Sequence, residues 1–146
     1  MKKLFTTFAV MIVALSSAVF AQQVSPKQVE VDPRTSEAYS LLIQRKAKLQ
    51  AELETLLREY SGEWPAAKQL QFEYDTLKNE MEKMAAVDQS KVSKLTAGYG
   101  RLILRKVSLS GEIDTLLREE GTQWPTTKER QRELELLDRE IQKLMT

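Results

Sequence analysis

Residues 39–65 read YSLLIQRKAKLQAELETLLREYSGEWP, and residues 99–125 read YGRLILRKVSLSGEIDTLLREEGTQWP. The match runs on without a gap, so that Tyr39–Ala86 aligns on Tyr99–Thr146 at a spacing of 60 residues, with 20 of 48 positions identical. A gapless repeat of this length is one supersecondary unit used twice, and the two copies are expected to share a fold. Within each unit the stripe residues step by three and four. They are Tyr39, Leu42, Lys46, Leu49, Leu53, Leu56 and Tyr60 in the first copy, and Tyr99, Leu102, Lys106, Leu109, Ile113, Leu116 and Glu120 in the second. This is a heptad stripe, which makes a narrow apolar face suited to coiled-coil packing. Nothing alternates with period two, which argues against strands.

Both stripes run into Gly-containing segments, Ser61-Gly62 and Gly121-Thr122, as helix ends commonly do. Trp64-Pro65 and Trp124-Pro125 follow. Proline fits the first turn of a new helix and drives the residue before it out of helical geometry, so each Trp-Pro marks a restart after a tight turn. Ala67, Leu70, Tyr74, Leu77, Met81 and Met84 then resume the three-and-four spacing. The second copy keeps Leu134, Leu137, Ile141 and Leu144 but has Thr127 and Arg130 beside its turn. The expected fold is all-α: a tandem repeat of two antiparallel helical hairpins, four helices in all, packed as a compact bundle or strung out as an elongated rod.

Hairpin repeat 1 is expected over residues 35–87 and repeat 2 over 88–146. Asp32-Pro33 or Thr35 can open the first helix, which would run to Tyr60 over about 39 Å at 1.5 Å per residue. At the join, Asp88-Gln89-Ser90 offers caps, and Gly98 and Gly100 weaken a helix, which favours a break between Asp88 and Gly100. Against that, Met81, Asp88, Leu95, Leu102 and Leu109 form one unbroken seven-residue series, as a continuous rod would require.

Residues 1–21 have the pattern of a Sec-type signal peptide: Lys2 and Lys3, an apolar run over Leu4–Leu15, then Val19-Phe20-Ala21 with small residues where a signal peptidase reads. Cleavage after Ala21 is expected, followed by a flexible leader over residues 22–34, with a periplasmic or secreted product of a bacterial cell. The competing role for this segment is an uncleaved membrane anchor, near the minimum length that spans a bilayer. The chain has no Cys and no His, which removes disulfides and the usual zinc, copper and haem ligands. Lys2 and Lys3 leave with the signal segment, so 20 basic residues face 21 acidic ones. The signs are finely mixed, which argues against nucleic-acid binding. No cofactor and no metal are expected.

Lys46 and Lys106 sit in the stripe where an apolar residue is expected. A turn at each Trp-Pro brings them opposite Glu80 and Glu140 in their own copies. Such pairs fix register in a coiled-coil seam; the rival role is a catalytic lysine, which a narrow two-helix seam gives no pocket. Trp64 and Trp124 sit at the hairpin tips, expected to fold over the turn and seal the seam, or else to stand exposed as an aromatic contact. Arg58-Glu59, Arg118-Glu119, Glu52/Glu112 and Glu73/Glu133 recur as charged positions of the kind that form a solvated helix face.

The segment Leu56-Leu57-Arg58-Glu59-Tyr60, with Trp64-Pro65 and Leu77 beyond it, resembles the hairpin segments in periplasmic coiled coils of polysaccharide chain-length regulators. The resemblance spans about 25 residues per copy and implies a shared envelope coiled-coil geometry. The flanking transmembrane helices of those regulators have no counterpart here. The expected function is a non-enzymatic structural or protein–protein interaction module acting through helix faces or self-association. The alternative is a small periplasmic holdase chaperone of the helical-hairpin type.

Overall fold

The computed structural model describes residues 30–60 and 62–146. The signal segment, its cleavage site and most of the leader lie outside the described residues. The chain is all-helical among those residues, with four long helices packed together as a bundle: α1 (Glu37–Glu59), α2 (Pro65–Ala85), α3 (Ala97–Glu119) and α4 (Pro125–Met145).

Each pair of corresponding helices starts on the same local chemistry. Ser36 Oγ accepts the Tyr39 amide at 3.2 Å, and 60 residues on Thr96 Oγ1 accepts the Tyr99 amide at 3.3 Å. Each hydroxyl satisfies a backbone donor that the first helical turn leaves free. The first helix therefore opens two residues later than Thr35. Asp32 caps instead a short 3-10 turn, Pro33–Thr35, by accepting the Arg34 amide. At the end of the leader, Gln89 bonds both the amide and the carbonyl of Val31 at 3.0 Å. α2 and α4 begin with Pro65 and Pro125, behind Trp64 and Trp124 in extended backbone. Gly121 takes φ +84° at the end of α3, a conformation that glycine adopts without steric cost.

The join breaks rather than running on as a rod. Asp88 accepts the Ser90 amide and opens a second 3-10 turn, Gln89–Lys94, before Thr96 starts α3. That turn brings the N-terminus of α3 back beside that of α1: the Ala38 amide donates to the Leu95 carbonyl, and the Ala97 amide to Glu37 Oε2. α1 and α3 thus run parallel, and both turns lie at one end of the bundle.

α3 is the central element, packing against α1, α2 and α4. Its buried residues show why. Leu109 and Ile113 belong to the heptad stripe, but Gly100, Ile103, Val107 and Gly111 form a second buried face. Gly100 lets the backbones close up, since a Cβ there would stand 2.9 Å from the Ala38 Cα. Leu42, Leu49, Leu77, Met84 and Ile103 are fully enclosed in the common core. Burying side chains of this size is worth about 2 kcal/mol each. α4 is held mainly by α3 and buries only Thr127 and Ile141.

Candidate functional site

Two groups of residues stand out: a line of charges through the bundle and an aromatic end. Arg45 donates to Glu73 at 2.9 Å across α1 and α2, and Arg105 donates to Glu133 at 2.6 Å across α3 and α4. These four residues are copy mates, each Arg also lying near a further Glu, Glu52 or Glu112. They hold the register within each copy. Arg105, then Arg130, keeps the Glu133 carboxyl below its usual value by hydrogen bonding. All of these positions except Arg130 are identical in the two copies, so the signal was present in the sequence. It was masked because an Arg beside the stripe looks like solvated surface.

The expected lysine pairs do not form. Lys46 lies over the Tyr74 ring, its ammonium 5.7 Å from the centroid, rather than against Glu80. Lys106 reaches Glu80 of the other copy at 3.2 Å and Asp138 at 2.9 Å, whereas Glu140 bonds Lys143. The physical reason is the packing. A closed two-helix seam would aim Glu80 at α1, but α3 lies against both α1 and α2, and Glu80 faces α3. Glu80 is buried and also accepts a hydrogen bond from Lys83. Burial works against the Lys106 ammonium, yet the hydrogen bond to Asp138 and the charge of Glu80 outweigh it and raise its pKa. A nucleophilic lysine needs the opposite shift, so this chemistry favours a permanent ion pair. Beside it, burial and then the Glu80 charge push the Tyr99 hydroxyl up.

At the turn end, the expectation that the tryptophans seal the seam is corrected. Trp64 is 40% and Trp124 57% exposed. Both occupy cap positions, whose extended backbone lies outside the helix, and the seam is closed instead by Ala67 and Thr127. Trp64 meets Tyr60 edge to face. Leu57, Tyr60 and Leu117 are exposed on the same end. The first turn lies against the end of α3, where Glu63, Pro65 and Lys68 border a cleft shared with Arg118 and Glu119. Both tips thus lie at the same end of the bundle. Pro65 and Pro125 serve as helix starters beneath them.

A groove of about 940 Å³ lies between the N-terminal segment and the join, lined by Asp88, Val92 and Leu95 among others. The Ser90 hydroxyl and amide hold the Asp88 carboxyl below its usual value, the reverse of what a general acid requires. Among the described residues no group of three or more metal-ligating side chains converges, and no helix is long and apolar enough to cross a membrane. Comparison with protein-family models, with curated proteins and with solved structures finds no match.

Proposed function

We propose that this chain is a non-enzymatic helical interaction module of the bacterial envelope, presenting an aromatic end to a protein partner. One observation carries this: Trp64 and Trp124, the only two tryptophans, are both exposed at the same end of the bundle. Tryptophan is rarely left in water without use, and it is enriched where one protein anchors on another. The rigid bundle behind the tips fixes their spacing, which lowers the entropic cost of binding. A periplasmic or secreted location follows from the signal-like pattern of residues 1–21.

Acrylamide should quench both tryptophans in the purified protein, Trp124 more strongly. Replacing Trp64 and Trp124 with Ala should change stability by less than about 1 kcal/mol, as for surface positions. A photocrosslinker at position 124 should capture a protein of defined mass in cells, and the Trp64→Ala change should abolish that capture. Shielded tryptophans, or a large loss of stability on replacement, would argue against this role. The second possibility, a holdase chaperone, draws on exposed Ile43, Leu136 and Leu144. It requires that the protein suppress aggregation of an unfolded client at stoichiometric ratio.

A further inference from the structure

We propose that copies of this chain stack head to tail, the second sequence copy of one molecule docking on the first sequence copy of the next. The contacts would repeat those that already join α1 and α2 to α3 inside each molecule. This inference is independent of the partner proposed for the aromatic end.

The first support is a mismatch in burial between copy mates. Ile103 on α3 is 2% exposed, because it receives the first copy; its mate Ile43 on α1 is 49% exposed. Met84 on α2 is 2% exposed within the common core; its mate Leu144 on α4 is 47% exposed. Val107 is buried where its mate Ala47 is open, and Gly111 is buried where Ala51 is open. The face of α1 that matches the receiving face of α3 is thus uncovered. So is the face of α4 that matches the donating face of α2. These two faces are complementary by construction, since the internal interface is made from their equivalents.

The second support is charge. Glu80 is held by Lys83 from its own helix and by Lys106 from the other copy. Its mate Glu140 has the corresponding partner, Lys143, at 2.7 Å, and no second cation within 4.0 Å among the described residues. Lys106 has Glu80 and Asp138; the position matching Asp138 is Lys78. Lys46 therefore lacks both carboxylates that its mate enjoys. It borders an open groove of about 380 Å³ with Arg34, Tyr39 and Lys78, Glu82 being the acidic residue there. The matching place on the second copy is where Glu80 enters beside Tyr99 and Lys106. Glu140 of a neighbouring molecule has the charge and the position to enter this groove. Lys46 and Glu140 are the two halves of the pair that the internal interface completes with Lys106 and Glu80.

Two substitutions make the external contact looser than the internal one. Ser40 stands where Gly100 meets Ala38, and Ala51 where Gly111 meets Glu73; a Cβ at either glycine would come within 3.0 Å of its neighbour. Gly98 in place of Ala38 offsets part of this on the facing side. Self-association is accordingly reversible, and because the contact joins unlike faces it extends beyond a dimer.

Sedimentation velocity of the mature chain over a concentration series tests this directly. The expected result is a weight-average mass that climbs past twice the chain. Lys46→Glu and Glu140→Lys should each weaken assembly by about tenfold or more while leaving the thermal transition in place, since both side chains lie at the open faces. Mixing the two variants should restore assembly, because every junction in an alternating stack then pairs opposite charges. A chain that stays monomeric at all concentrations overturns the proposal. So does a mass that stops at a symmetric dimer, or assembly that neither charge reversal weakens.

Discussion

Lys106 binds Glu80, 3.2 Å away on the other sequence copy, although an equivalent glutamate, Glu140, is present in its own. The pair lies in the interface that makes one body of two similar units. Replacing Lys106 with Met strands a buried carboxylate beside Lys83 alone, and should lower stability by about 2 kcal/mol. Replacing Glu80 with Gln as well should cost less than the two single changes added together, because the stranded charge is gone. Urea midpoints at unchanged slope measure this. Strict additivity would mean that the two groups do not interact.

The same cluster sets an alkaline limit. The ordinary values for Tyr99 and Lys106 are 10.0 and 10.5, and both are raised in the folded protein. Above about pH 10 the unfolded chain loses these protons first, so stability present at neutral pH declines as pH rises toward the folded values. Thermal melts from pH 8 to 11.5 should show this decline. Tyr99→Phe should flatten it, since the folded state then no longer withholds that proton. An unchanged slope in Tyr99→Phe would remove the tyrosine from the account.

Two glycines two residues apart, Gly98 and Gly100, should respond with opposite sign. A Cβ on Gly98 would meet only Thr96 Oγ1 at 3.5 Å, ordinary contact, so Gly98→Ala should stabilise α3 by about 0.5 kcal/mol. A Cβ on Gly100 would press on backbone, the Ala38 Cα at 2.9 Å and carbonyl at 3.2 Å. Gly100→Ala should therefore push α1 from α3 and cost about 2 kcal/mol despite the better helix propensity. Differential scanning calorimetry on the two variants compares them directly, and a gain at Gly100 would show that the α1–α3 spacing is soft.

The helices were legible because their signals are local: a heptad stripe, a Trp-Pro restart and a glycine turn each act within a few residues. The assembly of the two copies was not, because it depends on a second face of α3. Gly100, Ile103, Val107 and Gly111 read as an off-stripe mixture, and Ile43, the mate of Ile103, carries the same residue in a different environment. Identical residues at copy-related positions cannot reveal that one is covered and the other open. The Lys–Glu pairing differs for the same reason: Lys106 takes its glutamate from the neighbouring copy, and Lys46 and Glu140 are left without the expected partner. The tryptophans stand exposed for a local reason, since a residue forced out of the helix by the following proline also leaves the seam.

Thr127 gives the last test. Its side chain is fully buried beneath the second turn, and its hydroxyl has no hydrogen-bond partner among the described residues. The mate in the first copy is Ala67, equally buried but without a polar atom. An unsatisfied buried hydroxyl costs about 1 kcal/mol or more. Thr127→Val keeps the shape and removes the hydroxyl, and should raise the melting temperature by about 4 °C. The reverse change, Ala67→Thr, should bury a second unpaired hydroxyl and lower it. If Thr127→Val instead destabilises the protein, the hydroxyl has a partner in solution, and an ordered water between α3 and α4 becomes the explanation to pursue.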